Sequence, residues 1–436
     1  TWSRNIYWRG TYNCNRWLTT MSYGILAQAV LLGIYVDDQM LTQMESWLGT
    51  QQDKQSGAFS SDGYSYNQLM NNNVSYTAYA AIAFLEAGRN PSHPILSEAL
   101  RYLGNQMDSS DDTVSQVLSC YAFALAGDVE KQNTLLAKLK PKALDDGRGV
   151  FLRTCSEPNN GLFYSFPRPS CSVNIFATSY LLMCLVQKSD LSGDELTYAT
   201  KVARWLGGQM NSNGGFSSTM DTGPALDAMA TFQGIITTSK DASNTVTVKS
   251  GSNVVQEFTV TPDNKLVLQR ADLPTVPGSY AAEATGSGCV FCQATLVYYM
   301  KPKNMKSAFD LKVWTSTQQS SYTFNFNVSY KGERKLSEMA ILDVTLPTGC
   351  QAQESSLQEL VSKGIIQRYE TYKQGHVVCY FGQVTDKTIS GFFIFIVTIE
   401  VPNRKPSPVT MYSYYDNGEV AYGEYVLQSP TPVKSA

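Results

Sequence analysis

The amino-acid sequence predicts a multidomain α plus β protein, in which a partial α/α toroid precedes a small β domain and a β-sandwich that carries one helix. Three observations support this fold class. Apolar residues recur at helical spacing through the first half of the chain, and a turn motif repeats there. After about residue 234 the apolar residues alternate at strand spacing instead. The chain has 436 residues, which is enough for about three domains.

Four helices are predicted in the first half from apolar stripes at positions i, i+3 and i+4. The stripes begin near Met40, Ile95, Val117 and Leu196. Asp37 or Asp38 is available to cap the first helix, because a carboxylate accepts hydrogen bonds from the free N–H groups at a helix start. Gly127 is expected to end the third helix and Gly207-Gly208 the fourth, because glycine adopts the left-handed conformation common at helix ends.

A turn motif ties these helices together. Trp47-Leu-Gly-Thr-Gln is followed by Gly57-Ala-Phe-Ser-Ser, and Trp205-Leu-Gly-Gly-Gln is followed by Gly214-Gly-Phe-Ser-Ser. A weaker copy starts at Tyr102, 55 residues after the first. Helix pairs of about 50 residues that repeat in this way close into a ring of inner and outer helices, which is an α/α toroid.

Two β regions follow. The small β domain is predicted from short alternating segments, which start near Thr245, Glu257, Lys265 and Leu296. Beyond a linker at Lys301-Pro-Lys, the sandwich is predicted from four longer strands at 322–330, 339–346, 376–382 and 391–401. Ser356 and Glu359 are expected to form the capping box of its helix, with Leu357, Leu360 and Val361 buried. The predicted domains are 1–235, 236–303 and 304–436.

Composition excludes several classes of protein. The net charge is −3, from 34 basic and 37 acidic residues, so no basic surface for nucleic acid is expected. The longest apolar run, 391–397, is far shorter than the roughly 20 residues of a membrane helix. Only two histidines occur, and the Cys-x-x-Cys at 289–292 has no second ligand pair nearby, so neither a metal nor a cofactor is expected.

The cysteines and two glycosylation sequons indicate a secreted, extracellular protein. Nine cysteines favour disulfides, and an odd number leaves one thiol free or bonded to another chain. Asn73 and Asn327 each begin an Asn-x-Ser sequon and are the predicted glycosylation sites.

Three cysteine pairs are disulfide candidates. They are Cys155 with Cys171, Cys120 with Cys184, and Cys350 with Cys379. The first pair brackets a stretch rich in Pro, Asn and Gly and is expected to pair across a loop. The second pair lies on apolar helical stripes, where a helix–helix disulfide and two buried thiols are equally compatible. The third pair lies on two strands of the sandwich and could bridge there.

Several strings of residues carry a resemblance to a known family. Three strings resemble the thioester-containing helical domain of the alpha-2-macroglobulin and complement family, namely Trp17-Leu-Thr-Thr, 121–127 and 215–222. The segment 273–280, with 286–290, is similar to the returning half of its CUB domain. The receptor-binding domain of the family is similar to three further strings, Met339 to Val344, Tyr412 to Tyr415 and Glu424-Tyr425. The resemblance runs along nearly the whole chain and implies the C-terminal portion of such a protein.

Two departures limit what this resemblance implies. The reactive thioester of the family comes from a Cys-Gly-Glu-Gln string, which the chain lacks, so its first residues are expected to lie inside the toroid. The bait region that inhibitors of the family offer to proteases is also expected upstream. On the receptor-binding helix, relatives cleared by lipoprotein-type receptors carry two lysines one turn apart, whereas Glu354 and Gln358 stand at those positions here.

The resemblance also implies roles for a few further residues. Asn67 stands where complement-type members have a histidine that assists acyl transfer, and an amide cannot act as a general base. A role as an ordinary polar loop residue is equally compatible. Tyr412, Tyr414 and Tyr415 match an aromatic string that keeps water from the thioester, although tyrosine is also a common strand residue. Cys289 matches a cysteine that pairs with a partner upstream, and Cys292 and Cys14 are the alternatives for this link.

The function expected from this resemblance is a non-catalytic one. The chain is predicted to be the C-terminal fragment or subunit of a secreted protease inhibitor that traps proteases, and not an enzyme. Its expected partners are proteases, reached through the upstream part, and the upstream chain of the same precursor, with Cys289 as the candidate link. Assembly into homo-oligomers is compatible with the sequence. The alternatives are a complement-like opsonin and a structural extracellular or egg-coat protein without a thioester.

Overall fold

The computed structural model describes residues 16–61, 72–154, 172–188, 191–211, 213–236, 243–265, 267–287, 290–296, 307–318, 321–332, 336–372, 375–414 and 419–427. Its first part is helical. The helices are α1 Arg16–Leu31, α2 Asp38–Thr50, α3 Asn73–Glu86, α4 Pro94–Gln106, α5 Thr113–Ala126, α6 Val129–Leu139, α7 Ser172–Val186, α8 Gly193–Gln209 and α9 Thr219–Ile236. Strands β1 Ala143–Asp145 and β2 Val150–Leu152 form a small hairpin between α6 and α7.

The helices alternate between an inner and an outer ring. The odd-numbered helices pack in succession, α1 on α3, α3 on α5, α5 on α7 and α7 on α9. Helices α3, α5 and α7 are buried over most of their surface, whereas α2, α4, α6 and α8 bury mainly one apolar stripe. A helix that is apolar on all sides belongs inside a larger assembly of helices. The predicted partial toroid is therefore confirmed.

All five inner helices begin at the same end of the ring. Arg16, at the start of α1, donates to the carbonyl of Ser60, and Ser61 is bonded in turn to Asn73 at the start of α3. Two further side-chain hydrogen bonds join the starts of α3 and α5, Asn72 to Asp112 at 3.4 Å and Ser115 to Asn72 at 3.1 Å. A third joins the starts of α7 and α9, Ser172 with Ser218 at 3.0 Å. We call this end of the ring, with the segments 57–61, 150–154 and 214–218, the rim.

The predicted helix ends are confirmed in part. Asp37 caps α2 by accepting a hydrogen bond from the N–H of Gln39, and Gly127 ends α5 with a φ of 78°. The prediction that Gly207-Gly208 ends the fourth helix is wrong, because α8 continues to Gln209. Both glycines stay helical, and the ring of Phe291 lies against Gly207.

One disulfide joins two inner helices. Cys120 of α5 and Cys184 of α7 are bonded, with 6.1 Å between their Cα atoms, and both are fully buried. Of the two alternatives compatible with the sequence, the structure therefore has the disulfide. Cys155 and Cys171 lie outside the described residues, as does Cys289.

A three-stranded antiparallel sheet follows the helices, in the order β4-β3-β5. Its strands are β3 Asn244–Ser250, β4 Asn253–Val260 and β5 Ala281–Gly286. The strand predicted from Lys265 is wrong, since the N–H of Asn264 bonds to Thr261 and that of Val267 to Asn264, as in consecutive turns. Leu296 is not in a strand either, and the rest of that predicted segment lies outside the described residues. The bounds of the three domains stay predictions.

The last part of the chain is the β-sandwich. One sheet has the order β10-β11-β8-β13-β14 and the other has β6-β7-β12-β9, all antiparallel. The strands are β6 Phe309–Gln318, β7 Ser321–Tyr330, β8 Leu336–Thr345, β9 Cys350–Ala352, β10 Arg368–Tyr372, β11 His376–Thr385, β12 Ile389–Val397, β13 Ser407–Ser413 and β14 Val420–Tyr425. Aromatic rings fill the space between the sheets, among them Phe324, Phe326, Phe381 and Phe393.

The single helix of the sandwich, α10 Glu354–Ser362, packs beside β12. Leu357 and Leu360 are buried as predicted, while Val361 is half-buried. The predicted capping box is wrong, because α10 begins two residues before Ser356. The hydroxyl of Ser356 instead accepts a hydrogen bond from the N–H of Ile394 on β12, so it fixes the helix to the sheet.

The bridge predicted between Cys350 and Cys379 is also wrong. Cys350 lies on the short edge strand β9 and Cys379 within β11 of the opposite sheet, and both are buried free thiols. No helix in the described part of the chain is long and apolar enough to cross a membrane.

Candidate functional site

The rim is held together by one hydrogen-bond pattern that occurs twice. In the first copy, the N–H of Phe59 bonds to Thr77 Oγ1 at 2.8 Å, and the N–H of Ser61 to Asn73 Oδ1 at 2.9 Å. Asn73 and Thr77 lie one helical turn apart on α3 and therefore face the same extended segment. The side chains of an inner helix thus accept the hydrogen bonds of the backbone N–H groups of this segment, as a neighbouring strand would do in a sheet.

The second copy has the same geometry on α7. The N–H of Leu152 bonds to Thr178 Oγ1 at 3.1 Å, and the N–H of Thr154 bonds to Asn174 Oδ1 at 2.7 Å. Asn174 and Thr178 are both fully buried. The sequence signal for this pattern is an Asn-x-x-x-Thr spacing at the start of each of the two helices. The repeated Phe-Ser-Ser turn does not reveal this spacing, because the turn lies outside the helices.

At α9 the same function is performed by a carboxylate. The N–H of Ser218 bonds to Asp221 Oδ1 at 2.8 Å, and the N–H of Phe216 bonds to Thr222 Oγ1 at 3.0 Å. Asp221 is fully buried, and burial raises its pKa to about 6, although its hydrogen bonds act in the opposite direction. Each turn of the repeat is therefore attached to the inner helix that follows it.

Two residues predicted from the sequence to have a function belong to this region of the chain, Asn73 and Asn67. Asn73, a predicted glycosylation site, accepts hydrogen bonds from both the N–H and the hydroxyl of Ser61, so its carboxamide oxygen has a structural role. Its glycosylation stays a prediction. Asn67 lies outside the described residues, and its role stays a prediction too.

The outer face of the five-stranded sheet carries a cluster of tyrosines, which we call the tyrosine face. It comprises Tyr372, Tyr380, Tyr412, Tyr414 and Tyr422. Tyr412 packs with Tyr380, Ile341 and Val378, a small apolar cluster on the side of the sheet opposite the sandwich core. Burial raises the pKa of the Tyr412 hydroxyl, with a smaller contribution from Asp343. Tyr415 lies outside the described residues.

Charged groups hold this face in place. The guanidinium of Arg368 lies over the ring of Tyr380, 3.7 Å from its centroid, in a cation–π contact. Beside it, His376 Nδ1 lies 2.8 Å from Asp343 Oδ1. Tyr372 and Tyr422 remain 50% and 54% exposed, so the outer sheet face is open at its two edge strands. Such an aromatic face is suited to covering another surface and excluding water from it.

The comparisons with known proteins agree with this arrangement. The sequence profile of the A-macroglobulin TED domain matches residues 2–232, which is more than half of the chain. The profile of the A-macroglobulin receptor binding domain matches residues 335–426. The chain belongs to the alpha-2-macroglobulin family. The resemblance inferred from the sequence strings is therefore confirmed, including the assignment to the C-terminal portion of such proteins.

One curated relative in this family is much longer than the chain. Ovostatin of Gallus gallus is 34% identical over an alignment of 430 residues. The match covers 94% of this chain but 28% of ovostatin. The chain therefore spans little more than a quarter of the length of this relative.

The segment that matches the receptor binding domain contains the helix α10. Glu354 and Gln358 lie one turn apart on it, and Oε1 of each is 3.4 Å from the hydroxyl of Tyr369. Lys363, which follows the helix, forms an ion pair with Glu359 at 2.6 Å. This side of the helix therefore presents a carboxylate and an amide where the resemblance implies two lysines.

The two histidines of the chain both lie beside carboxylates. His93 Nε2 is 3.7 Å from Glu45, which also binds Arg89, and His376 is paired with Asp343. Partly exposed pairs of this kind are common structural features of proteins and need no catalytic role. Among the described residues, no group of three or more His, Cys, Asp and Glu side chains could hold a metal ion.

Proposed function

We propose that this chain is the C-terminal part of a secreted, alpha-2-macroglobulin-like protease inhibitor that traps proteases. The observation that carries the proposal is the extent of the similarity, which covers 94% of the chain and so includes the helical ring, the small sheet and the sandwich. In this proposal no residue of the chain performs hydrolysis. The chain supplies instead the rigid bodies that rearrange after a protease has cut a bait region elsewhere in the precursor.

The tyrosine face has a specific place in this proposal. We propose that Tyr412 and Tyr414, with Tyr415, cover a thioester contributed by the upstream part of the precursor. Tyr412 packs on the cluster of Ile341, Val378 and Tyr380, and Arg368 lies over the ring of Tyr380, which supports a well-packed aromatic surface. A surface of this kind slows hydrolysis by keeping water from the reactive carbonyl.

Asn67 favours a trap over an opsonin. Transfer of a thioester acyl group to a hydroxyl needs a base, because a neutral hydroxyl is a poor nucleophile. An asparagine carboxamide cannot take up that proton, whereas an uncharged amine attacks without such help. The proposed precursor would therefore react with amines, such as lysines of a trapped protease.

The proposal is tested on the whole precursor, purified from its source and challenged with an active protease. Trapping predicts that cleavage of a large protein substrate stops while cleavage of a small chromogenic peptide continues, because only the large substrate is excluded sterically. Unchanged cleavage of the large substrate would refute trapping and favour the structural alternative. Ester-linked attachment of the precursor to carbohydrate surfaces would favour the opsonin.

Electrophoresis of the same material tests the partners. We propose that the chain is linked to an upstream chain of its precursor through Cys289. A band near the 48.1 kDa mass of the chain that appears only after reduction, together with a larger partner, is the expected result. Size measurement before reduction gives the number of copies in the assembly.

A further inference from the structure

The outer face of the four-stranded sheet carries two exposed aromatic side chains, and we call it the tryptophan face. Trp314 of β6 and Phe392 of β12 are both opposite Asn325 of the central strand β7. They are 45% and 44% exposed. Two residues along β7, Asn327 lies opposite Lys312 and Ser390. Asn327 is therefore the diagonal neighbour of both aromatic rings, at a distance of roughly 6–8 Å.

A cavity of about 210 Å³ opens beside this face, between the sheet and α10. Its lining combines the two aromatic rings with polar groups, including Asn327, Glu359 and Lys363. Gly391, which has no side chain, also forms part of the lining. An aromatic surface next to hydrogen-bonding groups fits a ligand that has both apolar C–H faces and hydroxyl groups, and a sugar is such a ligand.

The side chain of Asn327 is directed to this face. Along β7, residues 322, 324, 326 and 328 are buried in the core, whereas 321, 323, 325 and 327 are half-exposed on the outside. The carboxamide of Asn325 donates to Ser316 Oγ at 3.2 Å, but that of Asn327 forms no hydrogen bond within the part of the chain that the structure describes. Asn327 also begins the sequon Asn327-Val328-Ser329.

We propose that Asn327 carries an N-linked glycan whose first N-acetylglucosamine units lie on Trp314 and Phe392 and extend into the cavity beside α10. The bond forms between Asn327 Nδ2 and C1 of the sugar, while the bond from C1 to the pyrophosphate of a lipid-linked oligosaccharide breaks and the amide releases one proton. The apolar sugar faces cover the two rings, and Glu359 and Lys363 lie within reach of the hydroxyl and acetamido groups. The inference depends on the proposed function only in requiring passage through the secretory pathway.

The occupant of this face is therefore a modification of the chain itself. Exposed apolar patches on soluble proteins mark surfaces that are covered by something else. Here the covering group is attached at the centre of the patch, on the strand between the two aromatic residues. A glycan anchored there is held at a high effective concentration over the rings, because its attachment point is fixed by the sheet.

The site is tested by secreting the full chain from mammalian cells behind a heterologous leader and measuring its intact mass. Asn327→Gln is expected to lose the mass of one glycan. Asn73→Asp, which keeps the Oδ1 acceptor for Ser61, serves as the control and keeps the glycan at Asn327. An unchanged glycan mass in Asn327→Gln would overturn the proposal. The leader takes any chain into the secretory pathway, so this result does not depend on whether the precursor inhibits proteases.

The position of the glycan is tested by enzymatic trimming. An endoglycosidase that leaves one N-acetylglucosamine is expected to preserve the thermal midpoint, while an amidase that removes the whole glycan lowers it by about 2–4 °C. In Trp314→Ala the two treatments should give the same midpoint, because the ring under the first sugar is gone. Phe392→Ser provides the same comparison if Trp314→Ala is not secreted.

Two outcomes would assign the face to another occupant. Equal losses on complete trimming in the wild type and in Trp314→Ala would place the sugar away from the ring and overturn the proposal. A wild-type chain that carries no sugar at Asn327 and sediments as a dimer, but becomes a monomer in Trp314→Ala, would also overturn it, since the face would then be an interface between copies.

Discussion

Tyr121 of α5 donates a hydrogen bond to Glu86 of α3, with 3.0 Å between the hydroxyl oxygen and the carboxylate. Gln28 of α1 donates to the other carboxylate oxygen at 2.8 Å. Burial raises the pKa of Glu86 to about 7, the two hydrogen bonds oppose this rise, and Asp227 adds to it. Three inner helices therefore share one carboxyl group that holds a proton more tightly in the folded protein than in the unfolded chain.

This carboxyl group predicts a pH dependence of stability. The pKa of Glu86 is about 7 in the folded state, against an ordinary value of 4.5, so its contribution is complete below about pH 4.5 and is lost as the pH rises through 7. Between pH 5 and 8 the free energy of unfolding should fall by about 2 kcal/mol on this account. Urea denaturation across that range measures the fall, and Glu86→Gln should flatten it, because the amide group does not titrate between pH 5 and 8.

Glu195 is the matched control for this experiment. Its pKa is lowered to about 2, chiefly by the hydrogen bond from Lys188, so it is ionised throughout the range from pH 5 to 8. Glu195→Gln should therefore leave the pH slope as it is in the wild type. Asp221, whose pKa is raised to about 6 by burial, adds a slope of the same sign as Glu86. A slope in Glu86→Gln as steep as that of the wild type would contradict the assignment.

The rim predicts a stability effect at Thr178. Thr178→Val keeps the shape of the side chain but removes the acceptor for the buried N–H of Leu152. An unsatisfied buried donor costs about 1–3 kcal/mol, so the free energy of unfolding should fall by that amount. Thr197→Val is the control, because the Thr197 hydroxyl on the exposed side of α8 bonds only to the carbonyl of Gly193. Its effect should stay within about 0.5 kcal/mol, and equal effects would refute the prediction.

The disulfide between Cys120 and Cys184 predicts both a labelling pattern and a stability effect. Alkylation in denaturant without reductant should modify Cys292, Cys350 and Cys379 but neither member of the disulfide. Of these three described thiols, exposed Cys292 should react fastest in the native protein, since burial raises the pKa of the Cys379 thiol to about 12 and that of Cys350 as well. Peptide mass mapping identifies the labelled sites.

Removal of this crosslink should be costly. The two cysteines are 64 residues apart, so in the chain-entropy model the disulfide contributes about 4 kcal/mol. Replacing both by alanine should lower the free energy of unfolding by this amount plus a packing loss. The double alanine variant of Cys350 and Cys379 measures the packing loss alone. Similar losses in the two double variants would mean that the crosslink contributes nothing.

The receptor-binding helix predicts a gain of function. Glu354→Lys combined with Gln358→Lys should create binding to lipoprotein-type receptor repeats, at least about tenfold tighter than the wild type, because such repeats bind lysine ammonium groups through carboxylates. Surface plasmon resonance measures the change. Glu359→Lys adds a charge on the same helix at a different position and should bind no better than the wild type. Tight binding by the wild-type chain would contradict the prediction.

Much of the fold could be predicted from the sequence because local patterns and packing agree there. Asp37 precedes an apolar stripe and caps α2, and the Phe-Ser-Ser repeat marks the turns of the ring. The predictions from sequence fail where a residue far away in the chain determines the local structure. The pattern at Ser356 fits a capping box, but its hydroxyl binds Ile394 of β12, and Gly207 stays helical with Phe291 against it. Nothing local to these positions contains that information.

The candidate site was less predictable than the fold. Spacing alone could not decide whether Cys120 and Cys184 lie close enough to bond, because that depends on how α5 packs on α7. The alternation in β13 places Tyr412 on one side of the strand, yet the contact of Tyr380 with Arg368 joins two other strands. Asn73 and Asn174 accept backbone hydrogen bonds at the rim, and each lies four residues before a threonine that does the same. The role of this spacing is visible only when the packing of the ring is known.

The common starting end of the five inner helices makes the ring electrically polar. Each helix axis carries the equivalent of about half a positive charge at its first turn and half a negative charge at its last turn. Five aligned axes concentrate the positive ends at the rim, where Asp112 and Asp221 accept backbone hydrogen bonds. Glu86 is the last residue of α3, at a negative end, where an ionised carboxylate is disfavoured. An anion formed at the rim is therefore stabilised by the architecture itself.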